Sequence, residues 1–81
     1  MKIELVLFAV AKDLVGQRKV EIELDPGATV GALKAQVVEQ FPVLSEIVSR
    51  SSISVDRDYA TDNMELADNS EVALIPPVSG G

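Results

Sequence analysis

The sequence predicts an α+β fold in which a mixed β-sheet packs on one main helix. Two alternating segments come first, one long amphipathic segment follows, and shorter alternating segments complete the chain. This order differs from that of repeated β-α-β units, and one sheet covered by one helix satisfies it. At 81 residues the chain has room for a single hydrophobic core.

The first two segments predict an antiparallel hairpin. Along residues 2–10 the core-facing positions alternate through Ala9, and residues 19–24 alternate in the same way. We expect Gly16 in the loop between them, because glycine adopts a positive φ without strain. The second face of the first strand becomes apolar toward its end, which places Phe8 on the outer side of the sheet.

A helix follows the hairpin. Thr29 is the predicted N-cap, because its hydroxyl can accept a hydrogen bond from the first turn. Apolar residues then recur at helical spacing, at Val30, Leu33, Val37 and Phe41. Pro42 ends the helix, and residues 44–48 predict a short irregular helical segment.

Three shorter strands complete the predicted sheet, at residues 52–56, around Tyr59 and at residues 71–75. A right-handed crossover sets the last strand parallel to the first, in the middle of the sheet. This arrangement resembles the ubiquitin-like β-grasp fold. We expect residues 1–76 to form that domain and residues 77–81 to form an extended C-terminal diglycine tail.

The composition argues against several classes of function. The chain has no Cys and no His, so it lacks thiol nucleophiles, the usual zinc ligands and a histidine base. Its net charge of -6 disfavours nucleic acid and suits a partner with a basic patch. No segment approaches the ~18 apolar residues of a membrane span, so a cytoplasmic protein that binds no membrane is expected.

Neither a metal site nor a catalytic carboxylate pair is predicted. Asp56, Asp58 and Asp62 share one loop segment, but it lacks the central Gly and the distal Glu of a calcium-binding hand. We interpret these residues as solvated surface charges.

The C-terminal segment is the main candidate for chemistry. Pro76 and Pro77 stiffen the exit from the last strand, and Gly80 and Gly81 form a tip without side chains that fits a narrow slot. The tail spans roughly 16 Å when extended, at ~3.3 Å per residue. The α-carboxylate of Gly81 is then the reactive group, although a frayed and inert end remains an alternative.

Phe8, Tyr59 and Ile75 are candidates for a docking surface. If they lie side by side on the outer face, they form an exposed apolar patch of the kind that marks an interface. The alternative is that a loop covers them as ordinary core.

Three stretches carry a resemblance to a known family. They are LFAVAKDLVG at residues 7–16, ISVDRDYA at residues 53–60 and LADNSEVALIPPVSGG at residues 66–81. Together they resemble the small subunit of molybdopterin synthase (the MoaD family) over the whole chain. Asp56 stands where the family often has Asn, and Asn69-Ser70 replaces its Gly-Asp turn. Both replacements are compatible with turns.

The resemblance implies a sulfur carrier that is not an enzyme on its own and binds no cofactor itself. A MoeB-like adenylyltransferase, using ATP and Mg, would convert the carboxylate of Gly81 to an acyl-adenylate. A sulfur donor protein would supply the sulfur that makes it a thiocarboxylate.

The resemblance also implies a partner that receives the tail. The large subunit of the synthase (MoaE-like), in a heterotetramer, would accept the segment Pro77, Val78, Ser79 and Gly80. The sulfur would pass to cyclic pyranopterin monophosphate and form the molybdopterin dithiolene. Phe8, Tyr59 and Ile75 would dock against the large subunit and, in competition, against the activating enzyme.

Three alternatives stay open at this point. The chain could carry sulfur for thiamin synthesis or tRNA thiolation. It could be a ubiquitin-like protein modifier that is joined to lysines through Gly81. It could also be a plain interaction domain with an inert tail.

Overall fold

The computed structural model describes residues 1–77. The elements in chain order are β1 (Lys2–Val6), α1 (Ala9–Val15), β2 (Lys19–Glu23), α2 (Val30–Gln40), a 3-10 helix (Pro42–Leu44), α3 (Ser45–Arg50), β3 (Ser52–Val55), β4 (Asp58–Ala60) and β5 (Val72–Ile75). Within these residues, five strands form one sheet in the order β2-β1-β5-β3-β4. β5 runs parallel to β1, and the other neighbouring pairs are antiparallel. The predicted mixed sheet with its central last strand is therefore confirmed.

The inner face of the sheet and α2 enclose the hydrophobic core. Alternate strand residues such as Leu5 in β1 and Leu74 in β5 are buried, as the alternation predicts. α2 buries Val30, Leu33 and Val37 against them. Each fully buried side chain of this kind contributes about 1.5–3 kcal/mol relative to an exposed one, so this layer holds the fold together.

The N-terminus of α2 has its free backbone donors satisfied. The hydroxyl of Thr29 accepts a hydrogen bond from the Ala32 N–H at 3.2 Å, which confirms the predicted cap. The N–H groups of Val30 and Gly31 donate to backbone carbonyls of residues 64 and 62, each at 2.9 Å. The first turn of a helix otherwise leaves these donors unpaired, so the long loop after β4 is fixed to the start of α2.

That same loop contributes a core residue that the sequence reading missed. Leu66 is 4% exposed, and its N–H donates to the carbonyl of Ala28 at 2.8 Å. The residues around Leu66 are mostly polar, so no strand or helix pattern marks Leu66 as a core residue. One leucine inside it nevertheless anchors the loop to the core.

The connection between β1 and β2 differs from the prediction. β1 ends at Val6, and Ala9–Val15 form α1 where the end of a strand and a loop were expected. Ala9 has a φ of 51°, which ends the extended chain. Ala9 is consequently exposed rather than core-facing, and Ala11 on α1 is buried in its place.

Gly16 has the expected positive φ but a different role. Its φ is 81°, and its N–H donates to the carbonyl of Lys12 at 2.8 Å. A left-handed glycine after the last helical residue is a common helix C-cap. Gly16 therefore ends α1 and does not sit in an open hairpin loop.

The turn substitutions fit the backbone. Asp56 and Arg57 connect β3 to β4 with φ angles of 51° and 73°. Asp56 Oδ1 accepts a hydrogen bond from the Glu71 N–H at 2.9 Å, an interaction open to Asp and Asn alike. Asn69 has a φ of 65°, a region that Asn tolerates. Among residues 1–77, no helix has the length and apolar character needed to cross a membrane.

Candidate functional site

The outer face of the sheet carries an apolar strip along its two central strands. Val6 in β1 is in parallel register with Ala73 in β5. Phe8 follows Val6 by two residues with an extended backbone, and Ile75 follows Ala73 by two residues on the same face of β5. Phe8 is 41% exposed, and the other three are half-buried. We call Val6, Phe8, Ala73 and Ile75 the apolar strip.

Tyr59 lies on the same outer face but apart from the strip. It pairs with Ser54 of β3, which in turn pairs with Ala73. Two strand spacings, or about 10 Å, therefore separate Tyr59 from β5. Phe8 and Ile75 directly follow the paired part of β1 and β5 on this face, and Tyr59 lies beyond the serines of β3.

Phe8 and Tyr59 are not ordinary core residues. Tyr59 is 76% exposed, and Phe8 is the N-cap of α1 with an extended backbone. Large exposed aromatic side chains next to half-buried apolar ones are typical of a protein interface. The role of Phe8, Tyr59 and Ile75 in docking stays a prediction.

The stem of the tail leaves the sheet at the end of the apolar strip. Pro76 and Pro77 directly follow Ile75 and line an open groove of 460 Å³. The residues Val78, Ser79, Gly80 and Gly81 lie outside the described residues. Entry of these residues and of Pro77 into a partner stays a prediction, as does sulfur attachment at Gly81. The domain boundary at residue 76 also stays a prediction.

Exposed apolar residues also line this groove, beside Glu46 and Arg50, and the sequence reading missed them. Val10, Leu14 and Val43 are 57%, 47% and 56% exposed, and all three line the groove. Val10 and Leu14 are four residues apart on α1. A four-residue spacing of apolar residues is typical of a helix, and a glycine such as Gly16 often follows the last helical residue. These two features together could have predicted α1.

A row of carboxylates crosses the outer face next to the apolar strip. Glu4 in β1 pairs with Glu21 in β2, and extending the parallel register of β1 and β5 by one residue sets Glu71 beside Glu4. We call Glu4, Glu21 and Glu71 the acidic row. Two exposed ion pairs involve this row. Lys19 Nζ lies 3.4 Å from Glu4 Oε1, and Arg57 Nε lies 3.5 Å from Glu71 Oε2.

The described residues present an exposed apolar strip rather than a cluster of metal-ligating groups. Across residues 1–77, no three His, Cys, Asp or Glu side chains are arranged to hold a metal ion. The chemistry that the sequence suggests is located at the C-terminus, and the sheet face lies next to the stem that leads there.

Comparison with known proteins places this chain in a family. The ThiS family model matches residues 5–81. A molybdopterin synthase sulfur carrier subunit from Caenorhabditis briggsae is 34% identical over 83 residues, covering 100% of this chain and 99% of the relative.

Two solved structures show the same fold. Small archaeal modifier protein 1 from Haloferax volcanii superposes with a TM-score of 0.87 at 30% identity, covering 100% of both chains. A complex of subunits 1 and 2 of molybdopterin-converting factor from Helicobacter pylori contains a chain that matches with a TM-score of 0.72 at 23% identity, again over 100% of both chains. The chain has the ubiquitin-like β-grasp fold and belongs to the ThiS family, in which it is similar over its full length to molybdopterin synthase sulfur carrier subunits.

Proposed function

We propose that the chain is the sulfur carrier subunit of a molybdopterin synthase and that Gly81 is the point of sulfur attachment. The observation that carries this proposal is the position of the apolar strip, which ends where Pro76 and Pro77 begin the tail. A partner that covers Phe8 and Ile75 lies next to the tail stem. The names of these relatives, which this chain matches over its whole length, support the choice of pathway.

Loading the tail requires activation by a partner. A carboxylate is a poor acyl donor because its oxygen is a poor leaving group. An adenylyltransferase with ATP and Mg lets the Gly81 carboxylate attack the α-phosphate, and pyrophosphate leaves. Hydrosulfide (HS⁻) supplied by a donor protein then attacks the acyl carbon and AMP leaves, which yields the thiocarboxylate. The chain itself has no Cys to carry the sulfur.

Transfer takes place in the large subunit of the synthase. The tail, from Pro77 to Gly81, enters its active site, and the thiocarboxylate sulfur attacks cyclic pyranopterin monophosphate. Water then hydrolyses the resulting thioester, which leaves the sulfur on the pterin and restores the Gly81 carboxylate. A second loaded carrier supplies the second sulfur of the dithiolene, which fits a heterotetramer of two small and two large subunits. General acid and base groups come from the large subunit, because this chain supplies no histidine or cysteine for the task.

The direct test combines the thiocarboxylate form of the chain, the large subunit and cyclic pyranopterin monophosphate. We expect molybdopterin to form. The variant that lacks Gly81 should fold with an unchanged thermal midpoint and yield none. If the loaded chain produces no molybdopterin, the proposal is wrong, and the same assay with thiamin or tRNA thiolation partners tests the other carrier pathways.

A second candidate function is protein modification through Gly81. The similarity to small archaeal modifier protein 1, at a TM-score of 0.87, favours it. Its signature is a set of conjugates in cell extract that disappears when Gly81 is deleted. Extracts without such conjugates would exclude this function and leave the sulfur carrier proposal intact.

A further inference from the structure

The turn between β3 and β4 has a backbone conformation that favours glycine. Val55 pairs with Asp58. Asp56 and Arg57 form the two-residue loop between them, with φ angles of 51° and 73°. Such a loop favours Asn or Asp at its first position and Gly at its second. Arg57 is a large residue in a left-handed conformation that residues of its size rarely adopt, so other contacts must stabilise the turn.

Asp56 joins this turn to the start of β5 by two hydrogen bonds. Its N–H donates to the carbonyl of Glu71 at 2.7 Å, and its Oδ1 accepts from the N–H of Glu71 at 2.9 Å. Glu71 directly precedes Val72, the first residue of β5. The ion pair between Arg57 and Glu71 is exposed on both sides, so it contributes little. The carboxylate of Asp56 is therefore the side chain that fixes the turn to β5.

The position of Tyr59 depends on this turn. β4 has three residues and lies at the edge of the sheet, where it pairs with β3 alone among the strands of residues 1–77. Tyr59 is 76% exposed, so packing does little to fix it. Ala60 packs against the core at one end of β4. At the other end, the turn and the Asp56 contacts fix the strand.

We infer that Asp56 is a positioning residue for docking, because it fixes Tyr59 relative to β5. Its two hydrogen bonds link the turn to the strand that carries Ile75 and continues into the tail stem. A partner that covers Tyr59 and Ile75 then meets a surface that is already ordered, which lowers the entropy cost of binding. This inference rests on the proposed function for the partner, which is the large subunit of the synthase.

The position requires an oxygen acceptor rather than a negative charge. Asp56→Asn keeps a side-chain carbonyl that can accept the same hydrogen bond from the Glu71 N–H. Asp56→Ala and Asp56→Gly remove the acceptor. Of these two, Asp56→Gly is compatible with the positive φ, because glycine adopts it without strain. The three variants therefore separate the hydrogen bond from the charge and from the backbone angle.

The first experiment needs no partner. Amide hydrogen exchange, followed by NMR, measures how often each backbone hydrogen bond opens. In Asp56→Ala, the amides of the β3–β4 pair should exchange at least about tenfold faster, and those of the β1–β2 pair should change less than about twofold, because the lost contact is local. Asp56→Asn should exchange like the wild type. Asp56→Gly should behave like Asp56→Ala, and it covers the case that Asp56→Ala does not fold.

Thr29→Ala is the matched control. It removes another exposed hydrogen bond between a side-chain oxygen and a backbone N–H, that of Ala32 at the start of α2. Exchange in the β3–β4 pair should then stay at the wild-type rate. Equal acceleration of the β3–β4 and β1–β2 pairs in Asp56→Ala, or in Asp56→Gly if Asp56→Ala is unfolded, would show a general loss of stability. That result would overturn the inference.

The second experiment measures binding to the large subunit as a double-mutant cycle. Asp56→Ala should weaken binding at least about fivefold, because Tyr59 is no longer fixed before the partner arrives. In the Tyr59→Ala background the same change should weaken binding less than about twofold, since the aromatic side chain that Asp56 positions is gone. Asp56→Asn and Thr29→Ala should bind like the wild type.

Additive losses in the cycle, or normal binding by Tyr59→Ala, would overturn the docking role of Asp56. Neither result touches the proposed function, which depends on sulfur transfer by the wild-type chain. Failure of the wild-type chain to bind the large subunit would overturn the proposed function and the docking role together. The exchange experiment tests the effect of Asp56 on β4 independently of both.

Discussion

The inner and outer faces of the same sheet have different roles. On β1, Ile3 and Leu5 are 1% and 0% exposed, while the alternate residues Glu4 and Val6 face outward as parts of the acidic row and the apolar strip. The inner face is covered by α2 and holds the fold together. The outer face leaves aromatic side chains in water. Substitutions on the two faces should therefore separate stability from partner binding.

The largest expected effect is on the inner face. Leu5→Ala removes a fully buried side chain from the centre of the sheet. We expect the free energy of unfolding to fall by about 2–5 kcal/mol, from lost burial and the cavity that remains. Urea denaturation measures this loss. A fall of less than about 1 kcal/mol would place Leu5 outside the cooperative core.

The second effect is on the outer face and concerns binding. Phe8→Asp puts a charge into the apolar strip, and we expect a loss of at least about 2 kcal/mol in affinity for the large subunit, typical of an aromatic hot spot. Titration calorimetry measures the affinity.

Met64→Asp is the matched control for Phe8→Asp, because Met64 is 42% exposed against 41% for Phe8. It lies in the loop fixed to α2, away from the strip. Its affinity should equal that of the wild type. If both variants bind normally, Phe8 has no part in docking.

The smallest expected effect is a change in the free energy of unfolding when one charge on the outer face is removed. Glu21→Gln removes one of two like charges that face each other across β1 and β2. We expect the free energy of unfolding to stay level or to rise by about 0.2–1 kcal/mol. Chemical denaturation at low salt measures it. A clear loss of stability would mean that the Glu21 carboxylate supports the fold, contrary to the separation of the two faces.

The core could be predicted because its pattern is local. Alternation along the strands and the helical spacing of Val30, Leu33 and Val37 needed no knowledge of neighbours. α1 was missed because the apolar run through Phe8 and Ala9 continued the pattern of β1. The chain turns at Ala9 because of its positive φ, and an alternation of apolar and polar residues gives no information about backbone angles. Leu66 was missed because a single leucine in a polar loop forms no repeating pattern with other apolar residues.

The organisation of the outer face depends on register between strands. Glu4, Glu21 and Glu71 lie far apart in the sequence, and they form a row only because of how β2, β1 and β5 pair. Val10 and Val43 are likewise distant in the sequence, and they line the same groove only in the folded chain. Gly81 needed no fold to be singled out, because in a chain without Cys or His its carboxylate is the remaining reactive group.

The central claim is that Gly81 carries the sulfur, and intact mass spectrometry tests it directly. The chain is incubated with the activating enzyme, ATP, Mg and a sulfur donor. Replacement of one carboxylate oxygen by sulfur should raise its mass by ~16 Da, and the variant without Gly81 should keep its mass. A wild-type mass that does not change under these conditions would contradict the sulfur carrier function.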